Sequence, residues 1–479
     1  MLGLVQSWFA PTGNPIGVDF GSDSLRMAQV EPADGEYRLV AAASADVPSP
    51  IRQDPSARLN FFADTIRDLL ASGNFRGRRA ILSLPAASTF IQHLRMPKLE
   101  EEDLRKALPW EARGKLPIDP THAVLRHIVA GDIYQDSEQK NEVILMAASR
   151  ELVNQLLAAA ARAKLDVVGM NVEAKAIVDC FTQIYRRKSD AEATTCYVDI
   201  GSSGTRVVIS KGAQILFARS IPIGGEHFNR AVANGLKINL EDARVLRIKL
   251  CTMQAEAGHA GHAQAGHAKA AGHQGPPPEQ QFMSRPKPAA RPRQAEESES
   301  LESAFPLLGA AMAKAGAQGQ GHGQVQRPAH GQAQPHPAAT ARAEARLQHA
   351  PHFDGNSELV DKAARVDQAL RDPLAKLTEE LDLCRRYHES TFHSVPLDRL
   401  VFVGGEARHR GLCQNIARSM SLAATIGDPL VRMGRTSDVG VESGIDRRQP
   451  QPSWSVAVGL SMGPAGGAAA DKSMNEGKK

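Results

Sequence analysis

The chain has 479 residues, 42% hydrophobic and 23% charged, which is enough for two or three domains. A net charge of +4 is small for that length, and with 5% aromatic residues it makes no case for a nucleic-acid surface. The five cysteines (Cys180, Cys196, Cys251, Cys384, Cys413) are scattered without Cys-x-x-Cys spacing, the pattern of a cytosolic protein with reduced thiols.

No apolar run reaches the ~18 residues of a spanning helix. The apolar start, Met1 to Phe9, is short and lacks a basic n-region, so it is expected to pack against the first domain. Then comes Ile16-Gly17-Val18-Asp19-Phe20-Gly21-Ser22-Asp23-Ser24-Leu25-Arg26. A β-branched run ends near Asp19, and Gly21 turns the chain back into a second strand. Tyr37–Val47 reads as a further strand, Pro48–Pro55 as a loop, Arg58–Ala71 as a helix and Ala80–Leu84 as a buried strand. This β/α alternation suggests a mixed sheet with helices on its faces.

From Pro85 the character changes. Thr89–Met96 alternates like a strand. Glu100 to Asp103 then open a helix that runs towards Leu116, with Pro109 as an internal kink. Val124–Val129 and Glu142–Ala148 read as strands, Arg150–Ala163 as a helix, Asp166–Asn171 as a strand and Glu173–Arg186 as a helix. Glu173 opens its helix directly after a strand. Two readings stand: a cap or dipole partner, or a group that orients an attacking water.

Cys196-Tyr197-Val198-Asp199-Ile200-Gly201-Ser202-Ser203-Gly204-Thr205-Arg206 repeats the first pattern about 180 residues on. Both copies read Val-Asp-x-Gly-Ser, with Arg five residues after the Gly. A tight Gly/Ser turn aims several backbone N–H groups at one point, an anion-binding concavity. The preceding Asp is a hard oxygen ligand suited to Mg²⁺ through water. Two matched copies facing across a cleft would hold a phosphate chain from both sides.

Gly224-Gly225 precedes a helix over Glu226–Asn234, and Asn239 caps another running to about Met253. From about Gln254 to Ser357, Ala, Gly, His, Gln and Pro dominate, and nine of the sixteen His lie there. Such a segment buries too little apolar surface to offset its chain entropy, so a solvated, disordered spacer is expected. Leu374–Tyr387 reads as a helix and Leu397–Val403 as a strand ending in Gly404-Gly405-Glu406. The helix Gly411–Ser421 follows, and Ser453–Met462 is the last helix of the core. The glycine pair at a strand end lets a flat ring lie against the backbone, which fits an adenosine contact.

This order of motifs resembles the actin-like ATPase superfamily of actin, Hsp70 chaperones, sugar kinases and the cell-division protein FtsA. It is similar further to one branch, the type IV pilus assembly protein PilM / competence protein A family. The added resemblance lies in Ser83-Leu84-Pro85 leading through Met96-Pro97 to Lys115-Leu116-Pro117-Ile118. It continues in Ala147-Ala148-Ser149-Arg150-Glu151, Asn171-Val172-Glu173 and Leu397 to Gly405. It covers about 14–253 and 358–462.

The resemblance implies an α/β fold: a two-lobed actin-like ATPase (ribonuclease H-like) architecture with a small inserted α+β domain and a long disordered insertion. Residues 1–84 would be the first part of lobe one, 85–140 the small domain and 141–190 the return of lobe one. Residues 191–253 would begin lobe two, 254–357 would be the insertion, 358–462 the return of lobe two, and 463–479 a disordered tail. ATP and Mg²⁺ would occupy the cleft, with Asp19 and Asp199 holding the metal through water and Glu173 as the catalytic candidate. Gly21, Ser22, Asp23, Ser24 and Arg26 would meet phosphate from one side, and Gly201, Ser202, Ser203, Gly204 and Thr205 from the other. Gly225, Gly404, Gly405 and Glu406 would complete the nucleotide site. Arg26 stands where the family carries Lys, Asp23 adds negative charge to a phosphate turn, and Glu406 adds charge beside the adenosine glycines.

The resemblance further implies a cytoplasmic scaffold of type IV pilus or type II secretion assembly, a slow ATPase at most. It would sit at the inner-membrane face through a partner, by docking the cytoplasmic N-terminal tail of a PilN-like protein beside the small domain. Other platform proteins would join it, and self-association is open. The alternatives are an FtsA-like division protein, whose usual C-terminal amphipathic helix the Gly/Ala tail does not supply, and a small-molecule kinase of the same superfamily.

Overall fold

The computed structural model describes residues 14–135, 137–250, 355–435 and 443–463. The expectations for the amino-terminal segment, the body of the insertion and the tail lie outside these residues.

The first lobe is built on a six-stranded sheet. Strand β1 (Ile16–Phe20) is buried along its whole length and pairs antiparallel with β2 (Ser24–Ala33), setting Asp19 opposite Arg26. An Asp34-Gly35 turn with both φ values positive, the left-handed pair that matches strand twist, joins β2 to β3 (Glu36–Asp46). On the other side β1 runs parallel to β4 (Arg79–Leu84), and β4 to β8 (Asp166–Val172). Helix α1 (Pro55–Ser72) starts where the Asp54 carboxylate accepts from the N–H groups of Ser56 and Ala57. It buries Phe62, Ile66 and Leu70 against Ile16, Val18, Phe20 and Leu82.

The small domain is a three-stranded antiparallel sheet in the order β5 (Thr89–Pro97), β7 (Glu138–Ser149), β6 (Ala123–Gln135). The sequence reading assigned 141 onward to the returning lobe, but β7 pairs with both small-domain strands along its length. Its Val143 and Leu145 share a core with Leu94, Met96, Leu104 and Leu108, the last two from α2 (Glu101–Glu111). That helix ends at Glu111, and Gly114 takes φ +72° just beyond it, so it does not reach Leu116. Helix α3 (Arg150–Arg162), N-capped by the Ser149 hydroxyl, leads back into β8.

The second lobe has five strands in the order β11 (Gln214–Ile221), β10 (Thr205–Lys211), β9 (Thr194–Ile200), β12 (Arg399–Val403), β13 (Ala423–Ile426). The antiparallel pair β9–β10 sets Asp199 opposite Arg206, the same register as Asp19 and Arg26. Helix α4 (Glu173–Thr182) follows β8, and the short α5 (Lys188–Glu192) precedes β9. Next come α6 (Gly225–Leu236) and α7 (240–250). The long α8 (Gly355–Thr391) and α9 (Arg410–Met420) complete the outer layer. Sequence reading starts α8 at Leu374, just after Pro373. The helix runs through that proline because Val366, Leu370, Leu377, Leu381 and Cys384 form one apolar face on the lobe's core.

Helix α4 and the final α10 (Ser455–Met462) lie stacked between the two large sheets. Their crossing is very close. A Cβ placed on Gly459 would meet Ala176 O at 1.9 Å, and one on Gly17 of β1 would meet Ala457 O at 1.9 Å. Three short elements escaped the sequence reading, α5, β13 and β14 (Gly434–Arg435), and β14 joins the edge of the first sheet beside β3.

The small domain leans on the second lobe through several contacts, among them the Gln214 side chain donating to Ala130 O at 2.8 Å and a buried carboxylate. Glu142, wholly buried, accepts from the Tyr387 hydroxyl of α8 at 2.6 Å and meets His93 Nδ1 at 2.8 Å. His93 Nε2 reaches Ala218 O of β11 at 3.1 Å, and its ring stacks on Phe217.

Candidate functional site

Between the lobes lies a cavity of about 360 Å³, lined from the first lobe, the second lobe and the segment before α10. The two Gly/Ser turns face each other across it and touch, Ser203 N–H donating to Ser22 Oγ at 3.2 Å. The amide groups of Ser22, Asp23 and Ser202 take no acceptor among the described residues, so they are available to an anion.

Behind the second turn, Gly224 and Gly225 act as a buttress. Gly225 N–H donates to Gly201 O and Glu226 N–H to Ser202 O, both at 2.9 Å. A Cβ on Gly224 would lie 2.5 Å from Gly201 O. The first amides of α6 are therefore spent on the turn and do not face the cavity. Gly404 has φ +86°, and a Cβ there would lie 2.3 Å from Asp199 Oδ1. Only glycine lets β12 end so close to that carboxylate.

Three carboxylates converge at the cavity floor. Asp19, at the end of β1, accepts from Ser83 Oγ at 3.2 Å, and Ser83 Oγ in turn accepts from Phe20 N–H at 2.9 Å. Glu173, at the start of α4, accepts from Ala86 N–H at 3.2 Å through Oε1. Asp199 Oδ2 takes Arg206 Nε at 2.8 Å and Nη2 at 2.7 Å. Glu173 Oε2 lies 2.9 Å from the same Arg206 Nε, an ion-pair distance without hydrogen-bond alignment, and has no other partner. Burial pushes Glu173 up to about 8; Arg206 opposes this, while Asp19 and Asp199 add to it. Burial likewise raises Asp19 to about 6, against the pull of Arg26 and Arg206. Burial works against the Arg206 charge, but Asp199 and Glu173 outweigh it and hold the guanidinium protonated.

The Mg²⁺ expected at Asp19 and Asp199 must fit this arrangement, and it does not. The Asp199 carboxylate facing the cavity carries a guanidinium where a hydrated metal would sit, and Mg²⁺ gives up its octahedral water shell reluctantly. Among the described residues, no group of three or more His, Cys, Asp or Glu has metal-ligating geometry.

The rim is a second charge network. Arg244 of α7 reaches Asp23 at 3.7 Å, so the extra acid in the first turn is answered from the opposite lobe. Arg247 of α7, almost wholly buried, donates to Glu406 Oε2 and Asn229 Oδ1, each at 2.5 Å, and to Gly225 O at 3.2 Å. Glu406 is thereby held against Gly225 in the cavity wall. Further out, Gln53 donates to Glu226 at 2.9 Å and Ser49 to Glu241 at 3.3 Å, tying lobe to lobe.

Of the residues singled out from sequence, Asp19, Gly21, Ser22, Asp23, Arg26, Glu173, Asp199, Gly201, Ser202, Ser203, Gly404, Gly405 and Glu406 line the cavity. Ser24, Gly204, Thr205 and Gly225 stand behind the turns, and the Thr205 hydroxyl donates to Ile223 O at 2.7 Å. Sequence reasoning missed Arg58, Arg244, Arg247, Arg408 and His409, and gave Arg206 no role. Arg244 and Arg247, three residues apart on one helix, were the available signal.

The family model of the type IV pilus assembly protein PilM matches residues 17–251, and that of the cell division protein FtsA matches 196–459. Among solved structures, the chain is similar to the PilM-PilN type IV pilus biogenesis complex. Identity is 17%, coverage 94% of this chain and 98% of that one, and the TM-score 0.61. The ethanolamine utilization protein EutJ from Carboxydothermus hydrogenoformans also aligns, at 10% identity and TM-score 0.42, over 95% of this chain and 90% of that one. No curated protein matches the sequence.

Proposed function

Because this chain belongs to the PilM family of FtsA-related, actin-like ATPases, we propose that it is a nucleotide-binding scaffold of type IV pilus or type II secretion assembly. One observation carries the nucleotide reading: two matched turns meet across a cleft between the lobes, with unpaired amides and Arg26 turned to it. ATP is the ligand proposed, with its phosphates between the turns and its base towards Gly404 and Gly405.

The floor suits holding more than turnover. Glu173 is the group placed to orient water, and its raised pKa leaves it largely protonated at neutral pH, a poor base. Slow or absent hydrolysis follows.

The partner proposed is the cytoplasmic N-terminal tail of a PilN-like inner-membrane protein, docked beside the small domain. Exposed apolar side chains there, Trp110 and Tyr134 with Leu99 and Val129, support this. Among the described residues no helix is long and apolar enough to cross a membrane, which agrees with attachment through a partner at the cytoplasmic face.

The test is a pull-down from native membranes with and without ATP, followed by mass spectrometry. Recovery of a small single-span protein with a cytoplasmic N-terminal tail, together with a pilus or secretion ATPase, is expected. The FtsA match over the second lobe favours a division role as the second reading. Recovery of division proteins instead would establish that reading and sink the pilus one.

A further inference from the structure

The two halves of the site repeat one device with different outcomes. In each hairpin the antiparallel register places an arginine directly opposite the aspartate, Arg26 opposite Asp19 and Arg206 opposite Asp199. The first pair is open, for the Arg26 side chain makes no hydrogen bond or ion pair with any described residue and acts on Asp19 only through its charge. The second is shut, with Arg206 clasped by Asp199 and Glu173 at 2.7–2.9 Å.

The shut pair is built into the backbone. The guanidinium lies over Gly201, where a Cβ would come within 2.9 Å of Nη2 and 3.2 Å of Nη1. Gly404 closes the other side of Asp199. The Arg206 side chain is only 15% exposed, and its Nη1 donates no hydrogen bond to the described residues. A guanidinium keeps its charge at any pH a protein meets and offers several fixed donors, so it can answer a carboxylate and a phosphate at once.

We propose that Arg206 is a built-in cation in the place of a divalent metal at Asp199, so that this chain binds a nucleoside polyphosphate without metal. The ligand class rests on the nucleotide reading above; the exclusion of metal by Arg206 does not.

The experiment therefore has two arms on the full-length protein. In the first, Mn²⁺ alone is titrated and followed by electron paramagnetic resonance, with no nucleotide present. Wild type is expected to bind none at this site up to about 1 mM, the weak end of carboxylate sites for divalent cations. Arg206→Ser should open one Mn²⁺ site, lost again in Arg206→Ser/Asp199→Asn. A wild-type site removed by Asp199→Asn overturns the proposal, and so does an Arg206→Ser protein that takes up no Mn²⁺. Circular dichroism checks folding of the serine variant. If it fails to fold, Arg206→Ser/Glu173→Gln, which sheds one unpaired acid, repeats the titration.

In the second arm a fluorescent ATP analogue is titrated in EDTA and in excess Mg²⁺. Wild-type affinity should agree within about threefold between the two, while Arg206→Ser should lose at least about tenfold in EDTA and regain it with Mg²⁺. Wild-type binding that vanishes in EDTA overturns the proposal. No binding under either condition defeats the nucleotide reading and the metal-free binding that rests on it, while the Mn²⁺ result still decides what Arg206 does.

Discussion

Replacing Glu173 by Gln should flatten the dependence of stability on pH above neutrality. Gln copies the shape of the neutral acid and cannot ionise. In the native protein the carboxyl is raised from 4.5 to about 8, burial being the first cause. A raised acid keeps its proton longer folded than unfolded. Its stabilising contribution is therefore complete below pH 4.5 and is lost as pH climbs to about 8. At about 1.4 kcal/mol per pH unit, the whole gap sets a ceiling of about 5 kcal/mol. Asp19, raised to about 6, acts in the same direction, but its window closes near pH 6. His227, His388 and His409 are held below 6.5 by burial and act in the opposite sense, only below that pH. Asp179 and Asp428, also raised by burial, act in the same direction in both proteins, so the difference between wild type and the Gln variant from pH 6.5 to 8 is what belongs to Glu173, at about 2 kcal/mol. Urea unfolding at several pH values, at constant ionic strength, measures it. Wild type should fall by that amount more than the Gln variant, the two agreeing within about 1 kcal/mol at pH 6. Parallel slopes in both proteins would refute the assignment of a raised pKa to this carboxyl.

Three further outcomes are expected. Gly459→Ala drives a methyl into Ala176 O and should destabilise by about 3 kcal/mol or more, read as a lower urea midpoint; an unchanged midpoint would mean the two helices slide apart freely. Gly405→Ala meets nothing within 4 Å on the protein, so it should melt like wild type yet weaken ATP binding several-fold by calorimetry, and full affinity would move the adenosine elsewhere. Glu142→Leu leaves His93 and Tyr387 buried without their shared acceptor and should cost about 3–5 kcal/mol. Limited proteolysis should then cut the small domain first, and resistance equal to wild type would show that the domain is held by other contacts.

Both Asp-x-Gly hairpins were legible because a strand period and a glycine turn are local signals, and Glu173 was legible because it directly follows a strand. Arg206 was visible in the repeated pattern but its pairing with Asp199 was not, since that register is fixed only by the folded hairpin, where Thr205 sits opposite Ile200. What local pattern cannot supply is the rim. Arg247 meets Glu406 across 159 residues of chain, and Arg244 meets Asp23 from another lobe. The membership of β7 was hidden for a similar reason: an alternating strand shows which faces are apolar, not which neighbour it pairs with. The reading of α8 began at Leu374 because its apolar spacing is regular from there, while the helix itself starts at Gly355 and its apolar face is set by the whole lobe.

The hydroxyl of Ser461 donates to Pro15 O and accepts from Val30 N–H, 431 residues upstream. The helix that covers the first sheet is thus made more than 400 residues after the strands it covers. At about 5–20 residues per second, the inner face of that sheet waits roughly 20–90 s for its cover during synthesis. A ribosome-bound chain that stops before Ser455 should be cleaved readily within its first lobe, while one extended past Met462 by enough residues to clear the exit tunnel should not. Protection of the shorter chain would show that the lobe closes without its last helix. Until that helix emerges, Gly17 and its neighbours present an uncovered apolar sheet, so β1 is finished long after it is made.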